Sequence, residues 1–278
     1  MLLVDKPAGP TSHDIVAVAR RAFGIDRIGH AGTLDPFASG LLVLLAGRAT
    51  RLVPYLDAEP KVYAASLAFG AETDTEDLDG AVIRQAPPPA AAAVDRAIAQ
   101  LTGAIDQVPP QYSAKRVGGK RAYEIARSGG IAELQASRVR VFEWEVLERS
   151  ADRLDAIITC SGGTYIRSLA RDLGRLAGSA AHLSSLRRLK SGVFDVAAAV
   201  SLDALRSGTA TLQPARAAMP TVATQTLDAT DLQRVRNGNP VDARVPDERV
   251  ALVDEQGIML AYAVRDGNVL QPRVVLHG

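Results

Sequence analysis

A single cysteine, Cys160, in 278 residues excludes an internal disulfide framework and a cysteine-rich zinc site. Aromatic residues make up only 4% of the chain, too few for a broad base-stacking platform. An excess of one charge is missing too. Lys and Arg number 32 against 31 Asp and Glu, a net charge of +1, so any polyanion contact must come from local clusters. No apolar run approaches the ~20 residues of a helical membrane span. LLVLLAG, Leu41 to Gly47, has the length of a buried strand. The opening MLLVDKPAGPTS shows no basic stretch followed by a long apolar one, so no export signal is visible and a soluble cytoplasmic protein is expected. Imidazoles are few. His30 has only His13, His182 and His277 as possible co-ligands, a poor basis for a metal site.

What remains is an ordinary globular composition, 47% hydrophobic and 23% charged, long enough for one large domain or a large and a small one. Three basic clusters stand out: Lys115–Arg116–Lys120–Arg121, Arg138–Arg140 and Arg187–Arg188–Lys190. Each reads equally well as a solvated face or as a polyanion contact.

Thr11 and Ser12 stand where a helix cap belongs, ahead of Ile15, Val18, Ala19, Ala22 and Phe23 at helical spacing, with Gly24 as the stop. RIGHAGTLDPFASG has no period and reads as a loop, and LLVLLA as a buried strand. Tyr63, Ala65, Leu67 and Phe69 alternate along a strand from Lys61. The acidic AETDTEDLDG fails the calcium-loop pattern, with Thr75 in place of the first Asp and Ala86 in place of the closing Glu, so it reads as a hairpin or connecting loop. Helices are expected after APPPAAAA, at AYEIARSGG and through SGGTYIRSLARDLGRLAG, with strands between residues 138 and 160. Near residue 213 the texture changes. LQPARAAMPTVATQTL reads as a linker, and short strands parted by Gln-Gly and Asp-Gly turns follow, the pattern of a small β-barrel.

Asp35 lies in a glycine-bounded loop between a helix and a strand, with Pro36 restraining it. It reads equally as a catalytic carboxylate or as a turn residue bonding its own backbone. His30 and Ser39 do not make a Ser-His-Asp triad with it on sequence alone, for no nucleophile elbow is present. Tyr165 and Arg167 follow a Gly-Gly turn at a helix start, where an anion would be welcome. From that segment alone a surface arginine is the simpler reading. Tyr63 and Cys160 read by default as buried strand residues.

In order, the segments DKPAGPTS, GHAGTLDPFASG, KVYAASLAFG, TDTEDLDG, PPQYSAKRVGGKRAYEIARSG, GTYIRSLARDLG and HLSSLRRLKSGVF resemble the signature blocks of the TruB family of pseudouridine synthases, over roughly residues 3–202. The departures are modest: Ser39 stands where Thr is common, Arg51 where Lys is usual, and Lys115 where an apolar residue is usual. The resemblance implies an α+β fold. A catalytic domain over 1–212 would have a large mixed, mainly antiparallel sheet flanked by helices, and residues 213–278 would form a small PUA-like β-barrel domain that binds RNA.

The resemblance also implies a reaction: isomerisation of uridine-55 in the T loop of tRNA to pseudouridine, with no metal or cofactor and no obligatory protein partner, by a monomer. Asp35 would be the essential aspartate and Tyr63 the tyrosine packing on the target base. Tyr165 and Arg167 would belong to the pocket, Arg167 pairing with Asp35, and Leu186 would be an apolar pocket residue. His30 would stack inside the RNA after the base is extruded, and Lys6 would support the active site. Whether Asp35 is a nucleophile at C1′ or a base at C2′ stays open. An RNA-binding protein without catalysis and a guide-directed synthase are the alternatives. Intact Asp35, Tyr63 and Arg167 weigh against the first, and the short C-terminal region without long basic tails against the second.

Overall fold

Thr11 opens the first helix, Ser12–Phe23, through a capping box. Its hydroxyl accepts from the Asp14 amide while the Asp14 carboxylate takes the Thr11 amide. Ile15, Val16 and Ala19 are its buried side chains, and Gly24 closes it in the left-handed region at φ 63°. The computed structural model describes residues 1–276; His277, named above among the imidazoles, lies outside them. The chain gathers into two units, one of Met1–Pro36, Gly40–Ala58 and the chain from Val193 onward, the other of Phe37–Ser39 and Glu59–Gly192.

In the first unit Leu2–Lys6 runs antiparallel to Ser39–Ala46, from Leu2 opposite Leu44 to Lys6 opposite Gly40, and parallel to the short Val200–Ser201. The run LLVLL is continuously apolar because both its faces are buried. Leu41, Val43 and Leu45 join one core with Met1 and Leu3, while Leu42 and Leu44 join another with Ile15 and Val16. Part of the segment expected to be loop is instead a strand, Ile28–His30, which pairs with residues 44–46.

The C-terminal sheet has the order Ala223–Thr226, Arg249–Val253, Met259–Asp266, Val269–Val275, Val241–Asp242. One face packs under the helix Ala229–Arg236 around Val235, Val250 and Leu270. The other places Ala251, Val253, Met259 and Tyr262 in the core that contains Met1, Leu3 and Leu41. This sheet fits the expected PUA-like domain. The stretch between residues 212 and 227, read above as a linker, is folded. It carries the 3-10 turn Ala215–Ala218 and buries Ala218, Met219 and Val222, so residue 213 falls inside the first unit.

The second unit is built on five antiparallel strands in the order Ala181–Ser191, Lys61–Phe69, Arg153–Cys160, Ser137–Arg149, Gly103–Gln107. Alternate residues of Lys61–Phe69 are buried, as the pattern predicts. Helix Ile166–Leu176 lies against the first two of these strands and beside helix Ala91–Gln100. The acidic stretch is the turn of a hairpin, Ala71–Thr73 with Val82–Gln85. The α+β fold with a mixed, mainly antiparallel sheet and flanking helices is thus as expected. Among the described residues no helix is long and apolar enough to cross a membrane.

Candidate active site

The residues singled out from the sequence divide between the units. Lys6, His30 and Asp35 lie in the first, and Tyr63, Tyr165, Arg167 and Leu186 in the second.

Asp35 is half-buried, and its two neighbours in the chain are tied down. On one side the Leu34 amide donates to the Ser12 hydroxyl at 2.8 Å, and that hydroxyl lies 3.0 Å from the Leu34 carbonyl. On the other, the Pro36 carbonyl accepts from Lys6 Nζ at 3.2 Å and from the Gly9 amide at 2.8 Å. Lys6 is fully buried and also donates to the carbonyls of Pro7 at 2.9 Å and Pro10 at 2.8 Å. A buried ammonium is costly unless its protons are taken up, and three carbonyls take them. The DKPAGPTS block therefore works as a clamp on the LDP turn. His30, half-buried, ends its short strand opposite Leu44.

In the second unit Tyr63 stands between Ile158 and Arg188 on the neighbouring strands, and Leu186 faces Ala65 one step along. Strand alternation puts Tyr63, Ala65, Leu186 and Arg188 on one face, and all four are buried. The turn Ser161–Thr164 then delivers Tyr165 to the cap of helix Ile166–Leu176. Gln107 clamps that cap with both ends of its amide. It accepts from the Tyr165 amide at 2.8 Å and donates to the Tyr165 carbonyl at 3.0 Å.

Arg167 is not the surface residue that its segment suggested; it is 4% exposed. It donates to the Thr75 carbonyl at 2.8 Å and the Tyr112 carbonyl at 2.9 Å, and Asp77 lies 3.6 Å away. Asp77, Glu76, Glu72 and Gln107 were all missed in the sequence. A signal was present for three of them. Arg167, Arg171 and Arg175 recur every four residues, which puts them on one helix face, and AETDTEDLDG is the acidic run that meets it. Arg171 pairs with Glu76, and Arg175 with Glu72 at 2.6 Å. Burial pushes the Glu72 carboxyl up, but hydrogen bonds from Arg175 and Arg84 outweigh it and hold the group below the usual carboxylate range. Burial dominates at Glu76 and raises it, against the pull of Arg171 and Ser168.

The basic clusters part ways. Lys115, Arg116, Lys120 and Arg121 are exposed on the ribbon Arg116–Val117 and Lys120–Arg121, whose turn uses Gly118 and Gly119 at positive φ. Arg138 and Arg140 are exposed, Arg138 paired with Asp106 at 2.9 Å. Arg188, by contrast, is fully buried at an inward position of its strand, while Arg187 is half-buried and Lys190 exposed. Cys160 is buried as expected, and burial pushes its thiol up to about 12. Among the described residues no group of three or more His, Cys, Asp and Glu could hold a metal ion.

Comparison with known proteins gives a consistent picture. Residues 20–166 match the N-terminal domain of TruB family pseudouridylate synthase, and residues 167–220 the C-terminal domain of tRNA pseudouridylate synthase B. The tRNA pseudouridine synthase B of Thermobifida fusca is 43% identical, over 100% of this chain and 98% of that protein. Its counterpart from Mycobacterium tuberculosis H37Rv is 41% identical, over 99% and 95%. Among solved structures, a chain of an H/ACA RNP bound to a substrate RNA containing 2′-deoxyuridine aligns with a TM-score of 0.70 at 22% identity, over 100% of this chain and 84% of that one. A Cbf5-Nop10-Gar1 complex contains another, with a TM-score of 0.71 at 23% identity, over 99% and 84%. At those identities the likeness concerns the fold alone.

Proposed function

We propose, from the premise that this chain belongs to the TruB family of pseudouridylate synthases, that it converts uridine-55 in the T loop of tRNA to pseudouridine. The observation that carries this reading is the clamp on Leu34 and Pro36, which holds the half-buried Asp35 carboxylate at a fixed place in the chain. A turn residue serving only its own backbone has no need of a buried lysine behind it.

The target base is stacked in the T loop, so it has to be flipped out before any group can reach C1′. His30 has the planar ring to fill the gap left behind. Tyr63 and Leu186 supply a largely apolar face for the uracil, with Tyr165 beside them in the pocket. The N1–C1′ bond breaks, the uracil turns while still bound, C5 bonds to C1′, and the C5 proton leaves. Asp35 acts either as nucleophile at C1′ or as base at C2′, and Tyr63 relays the C5 proton. Glycosidases use a second carboxylate to protonate a departing oxygen. Here nothing departs and no water enters, so one essential carboxylate suffices. Arg167 supplies a cation to the pocket, and Lys6 holds the Asp35 turn. The chemistry is proposed for the chain alone as a cytoplasmic monomer, without metal or cofactor. Residues 213–278 act as a PUA-like RNA-binding domain.

Purified protein, incubated with an unmodified T stem-loop transcript and a chelator, is expected to form pseudouridine at the position of uridine-55. Binding without product on every tRNA tested would instead make this an RNA-binding protein. Affinity should also fall as salt rises, through the exposed 115–121 ribbon. A flat response between low and moderate salt would remove the ribbon from the RNA surface.

A further inference from the structure

Glu76 is the one non-glycine residue with a positive φ, 62°, among the described residues. A side chain with a β-carbon is strained there, and such strain persists only where the surroundings impose it. The surroundings here are specific. One carboxylate oxygen of Glu76 accepts from the Ser168 hydroxyl at 2.8 Å, and the other is paired with Arg171. Its backbone carbonyl accepts from the Leu183 amide at 3.0 Å. Arg171 goes on to donate to the Val108 carbonyl at 3.0 Å, so it joins the acidic turn to the VPPQY segment.

The residues on either side of Glu76 are those that set Arg167. The Thr75 carbonyl takes one arm of its guanidinium at 2.8 Å, and the Asp77 carboxylate lies 3.6 Å from the same nitrogen. The other arm goes to the Tyr112 carbonyl, in the segment that Arg171 reaches through Val108. Three consecutive residues, 75 to 77, are thus fastened to the first two turns of one helix, and the middle one is fastened at the expense of its backbone.

We propose that Glu76, held by Arg171 and Ser168, is a positioning residue that fixes the 75–77 turn so that the Thr75 carbonyl and the Asp77 carboxylate orient the Arg167 guanidinium for isomerisation. This rests on the function proposed above and adds to it a residue whose effect is transmitted through Arg167.

The test compares single-turnover rate at saturating tRNA, tRNA affinity and Tm in wild type and four variants. Glu76→Gly relaxes the backbone but leaves the buried Arg171 with only its pair to the neighbouring Asp172, at 2.8 Å. Glu76→Gly with Arg171→Leu removes both charges, so it keeps the fold where the single variant loses it. That double variant is expected to lose about 100-fold in rate, the scale of a small misplacement of a group at the chemistry, with tRNA affinity and Tm close to wild type. Arg171→Lys, which keeps the cation, should recover most of the rate that Arg171→Met loses. A double variant at the wild-type rate would overturn the proposal, as would losses of rate that simply follow losses of Tm or of affinity. An inactive wild type on the same tRNA would sink the underlying function instead, and is told apart by that control.

Discussion

The two units each bury cations, but they satisfy them in different ways. In the first, Lys6 gives its protons to three proline carbonyls, none of which carries a formal charge. In the second, the buried Arg167 and Arg171 also donate to the carbonyls of Thr75, Tyr112 and Val108, but they face the Asp77 and Glu76 carboxylates as well, and the exposed Arg175 pairs with Glu72. Carbonyl dipoles fix a position through hydrogen-bond geometry while leaving the acceptors neutral. Carboxylates fix it through charge, and their own pKa values shift in the process. The difference suits the roles proposed for each region. The carbonyl cradle can hold the Asp35 turn through the Pro36 carbonyl, whereas the charged ladder can set an arginine firmly from behind.

The contrast should first break at Lys6. Lys6→Met removes three charge-assisted hydrogen bonds from a site that water does not reach, and should cost about 3 kcal/mol of stability. Its rate loss should exceed its loss of tRNA affinity, because the Asp35 turn is what loosens. Equal stability in urea unfolding would show that the clamp is incidental.

A second buried lysine sharpens the comparison through pH. Lys61 donates to the Ser191 hydroxyl at 2.6 Å, and burial, with Arg188 nearby, pushes its ammonium down to about 8. Above that pH the folded protein has released a proton that the unfolded chain keeps until its ordinary value of 10.5. Stability contributed by this group therefore rises between pH 8 and 10.5, by up to about 3 kcal/mol. Lys61→Met should abolish that rise in pH-dependent unfolding. Parallel curves for the two proteins would exclude Lys61 as its source.

The smallest effect is expected where charge adds to an apolar interface. Arg249 pairs with Asp57 at 2.7 Å, donates to the Tyr55 carbonyl at 2.8 Å and lies over the Tyr262 ring, but its side chain is 39% exposed. Arg249→Ala should cost about 1 kcal/mol after solvent screening, and should leave the single-turnover rate alone. A large loss would mean that the C-terminal sheet depends on this contact more than on the core around Tyr262, Met259 and Leu41.

How far the sequence was legible follows the same division. Period and capping announced the first helix, the buried LLVLLA strand and the alternating Lys61–Phe69 strand, because each depends on neighbours within a few residues. The Asp35 loop was legible as a loop, yet its clamp was not. Lys6 and Ser12 lie 30 and 22 residues before Pro36 and Leu34, and nothing local says that their side chains reach them. Arg167 was misjudged because one segment cannot show that Thr75, Tyr112 and Asp77, some 55 to 92 residues away, will surround it. Arg188 was grouped with its sequence neighbours when strand alternation sends it to the opposite face from Arg187. The segment before residue 227 looked like a linker because Pro, Ala and Thr dominate it, but small apolar residues also fill tight cores.

Asp35 is where these lines meet, and Asp35→Asn tests them most directly. The variant keeps the size of the side chain and the clamped backbone on either side, so it should fold and bind unmodified tRNA with nearly unchanged affinity. Pseudouridine measured at uridine-55 over a single turnover should then be absent, against complete conversion by the wild type. Product formed by Asp35→Asn at a rate near that of the wild type would contradict the assignment of Asp35 as the essential carboxylate.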